Sequence, residues 1–523
     1  MAGPACAAPA LAASSRLPAD IMVMAAQIDD LITLDPAELY ELSGGDYVAN
    51  VYDRLVRHDP DNVAVITGVA AEGWSVSPDG RRFTFRIRPG MAFHSGNPVT
   101  AEDAAWSLQR VVRLGKGPAF LLKQFGLDAG NVESRVRATD AHTLVFETDR
   151  TYAPGFVLGS LASWVSSVVD RKAALAHEKN GDLGNGWLRR ASAGSGPFRL
   201  AVWRPNEALI VDRFDGYWQG AAGMRRVVLR HIPEPGTQRL LLEKGDVDIA
   251  RNIGADDLAA LSANPAVRIR HVERASQYYL GLNQKNPYLR RPEVRTALKY
   301  LTDYEAINDS ILKGTQLVRQ TFLPRGTPGA IDDRPYRVDV DKARALLAEA
   351  GLADGFAVTM DTRNTSPTTE IAEALQAMWG RAGIRVEILP GDNKQTLTRY
   401  RARSHDIYIG RWSPDTLDPH GNAEAFAWNP DNGESAAVKT LAWRNAWDTP
   451  ETSRLVAAVL AEPDPSRRAA AYADLQRLHQ RISPFVLMFQ DTEPVAERTG
   501  ITGPVIGPTF DMVLYRDMRK SRP

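Results

Sequence analysis

The chain of 523 residues holds one cysteine, Cys6. One thiol closes no internal disulfide, and no Cys/His cluster has the spacing of a zinc site. Scarce cysteine suits the cytosol, and equally a periplasmic protein that does without bridges. Long hydrophobic runs are also missing: no stretch reaches the roughly 18 apolar residues of a transmembrane helix. There is no charge excess, because 63 basic residues balance 63 acidic ones. A nucleic-acid binder normally carries a clear basic surplus. Catalytic signatures are missing as well. Gly115-Lys116-Gly117 lacks the spacing of a Walker loop, and Ala193 stands where a nucleophile elbow around Ser195 needs glycine. There is no H-E-x-x-H helix. The histidines, such as His94, His142 and His420, are scattered singly. These absences disfavour an enzyme.

What remains is an ordinary globular composition, 44% hydrophobic and 24% charged. At roughly 150 residues per domain the length implies about two to four domains. Cores of that size need no metal or disulfide staples. Met1 to Ser15 is small and alanine-rich, and Ala10-Leu11-Ala12 has the small-x-small form of a signal-peptidase site. Residues 1–19 therefore read as the remnant of a secretory signal, or as a disordered tail. Gly3 stands where a lipid-anchor motif ending at Cys6 has leucine.

The patterning alternates strands with helices. Ile21 to Ala26 is apolar throughout and predicts a buried strand. Residues 46–57 have helical spacing. Arg81 to Arg88 alternates polar and apolar residues after the Pro78-Asp79-Gly80 turn, which predicts a hairpin with Trp74 to Ser77. Thr100 precedes Glu102 and Asp103, a helix start running to Val112. Further strands are expected at 227–232, 247–250, 277–283, 356–360, 384–388 and 406–409. Helices are expected at 237–244, 294–301, 304–312, 341–350 and 369–382. Gly351 and Gly383 suit the carboxyl ends of the last two helices. The alternation implies α/β lobes with mainly parallel sheets.

Three ordered stretches resemble extracellular solute-binding protein family 5, the peptide and nickel receptors of ABC importers. The first is Val69 to Arg110, with GWSVSPDGRRFTFRIRPGMAFHSGNPVTAEDAAWSLQR. The second is Gly194 to Trp218, with GSGPF and DRFDGYW. The third is Tyr279 to Asp303, YLGLNQKNPYLRRPEVRTALKYLTD. The resemblance implies two α/β lobes with a ligand cleft between them and an extra subdomain. Lobe I would comprise 20–58, 190–275 and 485–523, the extra subdomain 59–189, and lobe II 276–484. The strand at 277–283 would lie near a hinge crossing.

The resemblance also places the site. Trp412, Asp415 and Pro419 match the spacing of the family's peptide receptors, in which the aspartate pairs with the ligand's ammonium. The loop would follow the strand 406–409, at the end where open α/β sheets bind ligands. Asp415 can equally be a turn residue after Pro414, and Trp412 can stack on ligand or pack in the core. Asp418 reads as a turn or helix-cap residue. Arg363, one position out of register, would clamp a ligand carboxylate. Phe120 would line the pocket from the extra subdomain. Thr33, with the Asp35-Pro36 turn, would belong to the amino-terminal pocket loop. The implied partners are a small peptide or peptide-like ligand and the permease's transmembrane subunits. The receptor would be a periplasmic monomer with no cofactor, metal or nucleic acid. Gly421 to Glu424 departs from the peptide-receptor pattern, which leaves opines, metal complexes, glycan fragments and heme open as ligands. Delivery to a membrane sensor, or a hydrolase using the cleft, are the readings of other classes.

Overall fold

The computed structural model describes residues 17–313 and 315–521. Met1 to Ser15 and Cys6 lie outside the described residues. Two α/β lobes share one mixed sheet of 11 strands. Its middle consists of two long strands, Val267–Leu282 and Phe485–Arg498, paired antiparallel from Val267/Arg498 to Gly281/Phe485. On one side the second of these pairs with Ile249–Ala250. Beyond come Ile21–Ala26, Arg226–His231, Ala208–Arg213 and Phe198–Arg204. On the other side Val267–Leu282 pairs with Ile407–Trp412, followed by Ala357–Arg363 and Arg385–Gly391. The chain thus crosses between the lobes on two strands that are hydrogen-bonded to each other.

The expectation of mainly parallel sheets is corrected. Four strand pairings of the large sheet are parallel and six antiparallel. Parallel pairs arise where a helix connects the strands, as from Ala357–Arg363 through the helix Thr368–Gly380 to Arg385–Gly391. The crossing strands come from distant parts of the chain and meet head to tail. The first is also longer than 277–283, because Arg268 and Arg270 are paired with the buried Glu497 across the ladder.

Apolar patterning explains the layers. Ile21–Ala26 is paired on both edges. Met22 and Met24 pack on one face of the sheet, Val23 and Ala25 on the other. A continuous apolar run suits a strand covered on both faces. A smaller four-stranded sheet holds Ala71–Val76, Arg82–Ile87, Thr143–Glu147 and Val136–Asp140 in that order. Its Phe83, Phe85 and Phe146 are fully buried in the same apolar cluster as Met22 and Val48. The helix Ala101–Leu114 covers it, opened by a capping box of Thr100 with Asp103 and closed by Gly115 at φ 59°.

The helix expected over 46–57 is shorter, Gly44–Val51. Beyond it Asp53 accepts from the hydroxyls of Ser195 and Tyr217, each at 3.0 Å, and Arg54 is paired with Asp511 at 2.8 Å. These buried polar partners hold the backbone out of the helix. A short strand, Val56–His58, follows.

Candidate functional site

The cleft between the lobes holds a cavity of about 690 Å³. That is within the ~300–1,000 Å³ of small-ligand sites. Its walls come from the loop after Ile21–Ala26, the crossing strands, and the ends of Ala357–Arg363 and Ile407–Trp412. Most of its charges are mutually paired. Arg251 donates to Asp46 at 2.7 and 2.9 Å and to Glu493 at 3.0 Å. Arg274 lies 3.4 Å from Glu493, and Arg411 is bonded to Asp491. Burial works against ionising Glu493, but Arg251 and Arg274 override it and hold the carboxyl below its usual range. Asp491 is the reverse: burial raises it despite Arg411.

Three groups in the cavity wall are left over. Among the described residues no carboxylate lies within 4.0 Å of Arg363, and no cation lies within 4.0 Å of Asp29 or Asp30. Arg363 is the last residue of its strand and is half-buried. The expected carboxylate clamp therefore faces the cleft with its charge uncompensated.

Asp415 stands on the loop after Ile407–Trp412, half-buried, and lines a second cavity of about 110 Å³. Its partner is Tyr40, whose hydroxyl donates to Asp415 Oδ1 at 2.6 Å. Burial raises the Asp415 pKa, and the Tyr40 hydrogen bond opposes that shift. Burial and the adjacent carboxylate push the Tyr40 hydroxyl up in turn. The Tyr40 ring meets the edge of Phe120, centroids 6.3 Å apart. The structure thus brings Asp415 and Phe120 together through a tyrosine that sequence reasoning missed. Nothing in the Glu38-Leu39-Tyr40-Glu41 text marks it, because the contact joins positions 375 residues apart.

Trp412 is half-buried and lies edge-on to Phe426 at 6.3 Å, its Nε1 donating to Asn422 Oδ1 at 2.8 Å. It packs beside the loop rather than lining either cavity. Thr33 is fully buried and accepts from the Asp35 amide at 3.3 Å, so its side chain lies outside the cleft. The turn it braces is anchored by Arg110, which donates to both Asp35 oxygens at 2.7 and 2.5 Å. Asp418 is the N-cap of Pro419–Ala427 and is paired with Arg468 at 2.7 Å. Among the described residues no three His, Cys, Asp or Glu side chains are grouped to hold a metal ion, and no helix is long and apolar enough to cross a membrane.

The cleft has a fixed floor. Trp164 is fully buried, with Nε1 donating to the Leu39 carbonyl at 2.9 Å, and meets Phe510 at 4.6 Å. Phe510 lines the large cavity, and Gly45 allows its carbonyl to approach the helix Gly44–Val51, where a Cβ would collide.

Residues 64–434 match the model of bacterial extracellular solute-binding proteins, family 5 Middle. The chain belongs to this family. Its relatives are named periplasmic binding proteins. The chain is 27% identical over 505 residues to the probable D,D-dipeptide-binding periplasmic protein DdpA of Escherichia coli, covering 96% of this chain and 94% of that one. It is 26% identical over 490 residues to the dipeptide-binding protein of Escherichia coli, with 89% of each covered. HbpA2 of Haemophilus parasuis shares the fold, with a TM-score of 0.84 at 22% identity over 96% of this chain and all of that one. Members of family 5 are solute-binding components of transport systems, so the cleft is a binding site.

Proposed function

We propose that this family 5 protein captures a short peptide or peptide-like zwitterion in the periplasm and delivers it to the transmembrane subunits of an ABC permease. The carrying observation is uncompensated charge of both signs beside neighbouring cavities, Arg363 in the wall of the large one and Asp415 in the wall of the small one. Arg363 has no carboxylate partner, and Asp415 has a hydroxyl partner but no cation within 4.0 Å among the described residues. A ligand ammonium at Asp415 and a ligand carboxylate at Arg363 would each gain charge-assisted bonds, worth about 1.5–3 kcal/mol apiece. The dipeptide-binding relatives support the same ligand class.

In this reading the lobes are 20–58 with 190–275 and 485–523, and 276–484, with 59–189 as the extra subdomain. Phe120 contacts ligand, Trp412 stiffens the Asp415 loop, and Thr33 braces the turn beneath the cleft. Residues 1–19 are the remnant of a secretory signal, and the receptor works as a monomer. Ligand favours the closed arrangement because Asp415 and Arg363 hold it on the second lobe while Phe120, from the extra subdomain, meets it only on closure, and closure is what the permease recognises.

Native mass spectrometry of the protein purified from a periplasmic extract tests this. Short peptides with free termini should be released on denaturation and rebind. An opine, a glycan fragment or a metal complex in their place would overturn the proposal.

A further inference from the structure

Beyond Asp415 the same loop leaves the wall of the large cavity and packs against the opposite half of the molecule. Leu417 is buried against Met512 of the carboxyl-terminal segment, Ala275 of the crossing strand and Val63 of the turn after Val56–His58. The His420 ring, also buried, stands edge-on to Phe156 with centroids 4.9 Å apart. Close by, the Ala153 amide donates to the Leu460 carbonyl at 2.8 Å. In the lobe assignment proposed above, each of these contacts joins the second lobe to the first lobe or its extra subdomain.

The helix Pro154–Leu161 meets the loop through two glycines one turn apart, Gly155 and Gly159. A Cβ at Gly159 would stand 3.2 Å from the Asp418 Cβ, and its three nearest neighbours would all be atoms of Asp418. A Cβ at Gly155 would approach Arg468 Nη1 to 3.4 Å and Asp418 Oδ2 to 3.7 Å. Neither glycine has a positive φ, so the backbone does not call for glycine at either position. Glycine inside a helix is unfavourable relative to alanine. What both positions serve is the close approach of the helix to the Asp418–Arg468 pair. Apolar burial at Leu417 and the ring contact at His420 favour this docking. Covering the ion pair opposes it, because the ions lose their remaining water. A contact of this make-up promotes closure and still lets the lobes part.

We infer that residues 417–420 and the helix Pro154–Leu161 form a clasp that holds the lobes together before any ligand arrives. Leu417 and Gly159 are positioning residues of this clasp, and neither lines the large cavity. They act on ligand through the population of closed molecules. Apparent affinity scales with the fraction of molecules that are binding-competent, so the clasp strengthens binding of every ligand alike. The inference goes beyond the peptide reading and holds whichever solute fills the cleft.

Small-angle scattering of the protein, stripped of ligand by unfolding and refolding, is the test. The stripped wild type should have the radius of gyration of the structure itself. Gly159→Leu should enlarge that radius, because the new side chain points into Asp418, and Gly159→Ala should enlarge it less. Leucine is a better helix former than glycine, so the far-ultraviolet dichroism of the variant should stay native. Leu417→Ala attacks the clasp from the other lobe and should also enlarge the radius. Amide exchange gives a local reading: Ala153 should be protected in the stripped wild type and lose that protection in Gly159→Leu. The wild-type comparison needs no variant, since a stripped protein more expanded than the structure would overturn the inference. Compact scattering in Gly159→Leu or Leu417→Ala with native dichroism would overturn it as well. Either result would leave the peptide reading intact.

Discussion

Replacing Asp415 with alanine removes the only carboxylate bonded to Tyr40 among the described residues. A charge-assisted bond between a ligand ammonium and a carboxylate contributes about 1.5–3 kcal/mol. Its loss corresponds to about a 10- to 150-fold fall in affinity. Titration calorimetry should show that fall for a dipeptide with a free amino group and none for its N-acetylated analogue. Asp415→Asn should lose nearly as much, because its amide oxygen can still accept from Tyr40 but carries no charge. The pH dependence gives an independent reading. Burial raises the Asp415 pKa, so the carboxylate takes up its proton at a higher pH than an exposed aspartate would. Affinity for the free-amine ligand should therefore fall as pH drops through that raised value. Tyr40→Phe removes the hydrogen bond that opposes the rise, and should move the fall to still higher pH. The acetylated ligand should be indifferent throughout. Unchanged affinity for the free amine in Asp415→Ala, or an equal loss for both ligands, would refute the reasoning.

Arg363→Ala should weaken ligands with a free carboxylate about 10- to 150-fold and spare C-terminally amidated ones; the same calorimetry decides, and an equal loss for both would rule out a carboxylate clamp. Asp35→Ala leaves the Arg110 guanidinium, 1% exposed, without its carboxylate. It should cost about 3–5 kcal/mol, seen as a lower urea midpoint at unchanged slope, and a shift near zero would contradict it. Lys299 is buried, donates to the carbonyls of Gln480 and Ser483 at 2.7 and 3.3 Å, and has its pKa depressed by burial from 10.5 to about 7. Because the unfolded chain holds that proton more tightly, the folded state is penalised fully below pH 7. The penalty, on the order of 5 kcal/mol, is relieved as pH rises from 7 toward 10.5. The wild type should gain stability relative to Lys299→Met across that window, and parallel urea profiles would exclude the effect.

Local physics made much of the fold readable from the sequence. Thr100 with Asp103 marks the start of a helix, which begins there and runs to Leu114, two residues past the expected Val112, where Gly115 closes it. Ile21–Ala26 shows its double-faced burial as an unbroken apolar run. Elements fixed by distant partners were harder to read. Val51 ends its helix because Asp53 and Arg54 bond to Ser195, Tyr217 and Asp511. The first half of the long crossing strand looks solvated, with Arg268, Arg270 and His271 in a row, yet Glu497 pairs with both arginines from the neighbouring strand. The site divides the same way. Asp415 and Arg363 stand at strand ends that the alternation of elements locates. Tyr40 lies in a loop with no pattern, and only the folded chain sets its hydroxyl on Asp415.

The strand Phe485–Arg498 lies between Ile249–Ala250 and Val267–Leu282, yet it is made after nearly everything else. A chain that emerges amino end first has all the other strands of the large sheet in hand before this one arrives. Until then Ile249–Ala250 has an unpaired flank, and an exposed strand edge invites mispairing. The second lobe waits as well, because Val486, Met488 and Phe489 of this strand complete its apolar core beside Leu280 and Ile407. The amino-terminal lobe cannot close its sheet until residue 498 is out. The order of synthesis therefore gives the two lobes a shared ending: both are finished by the last strand to arrive.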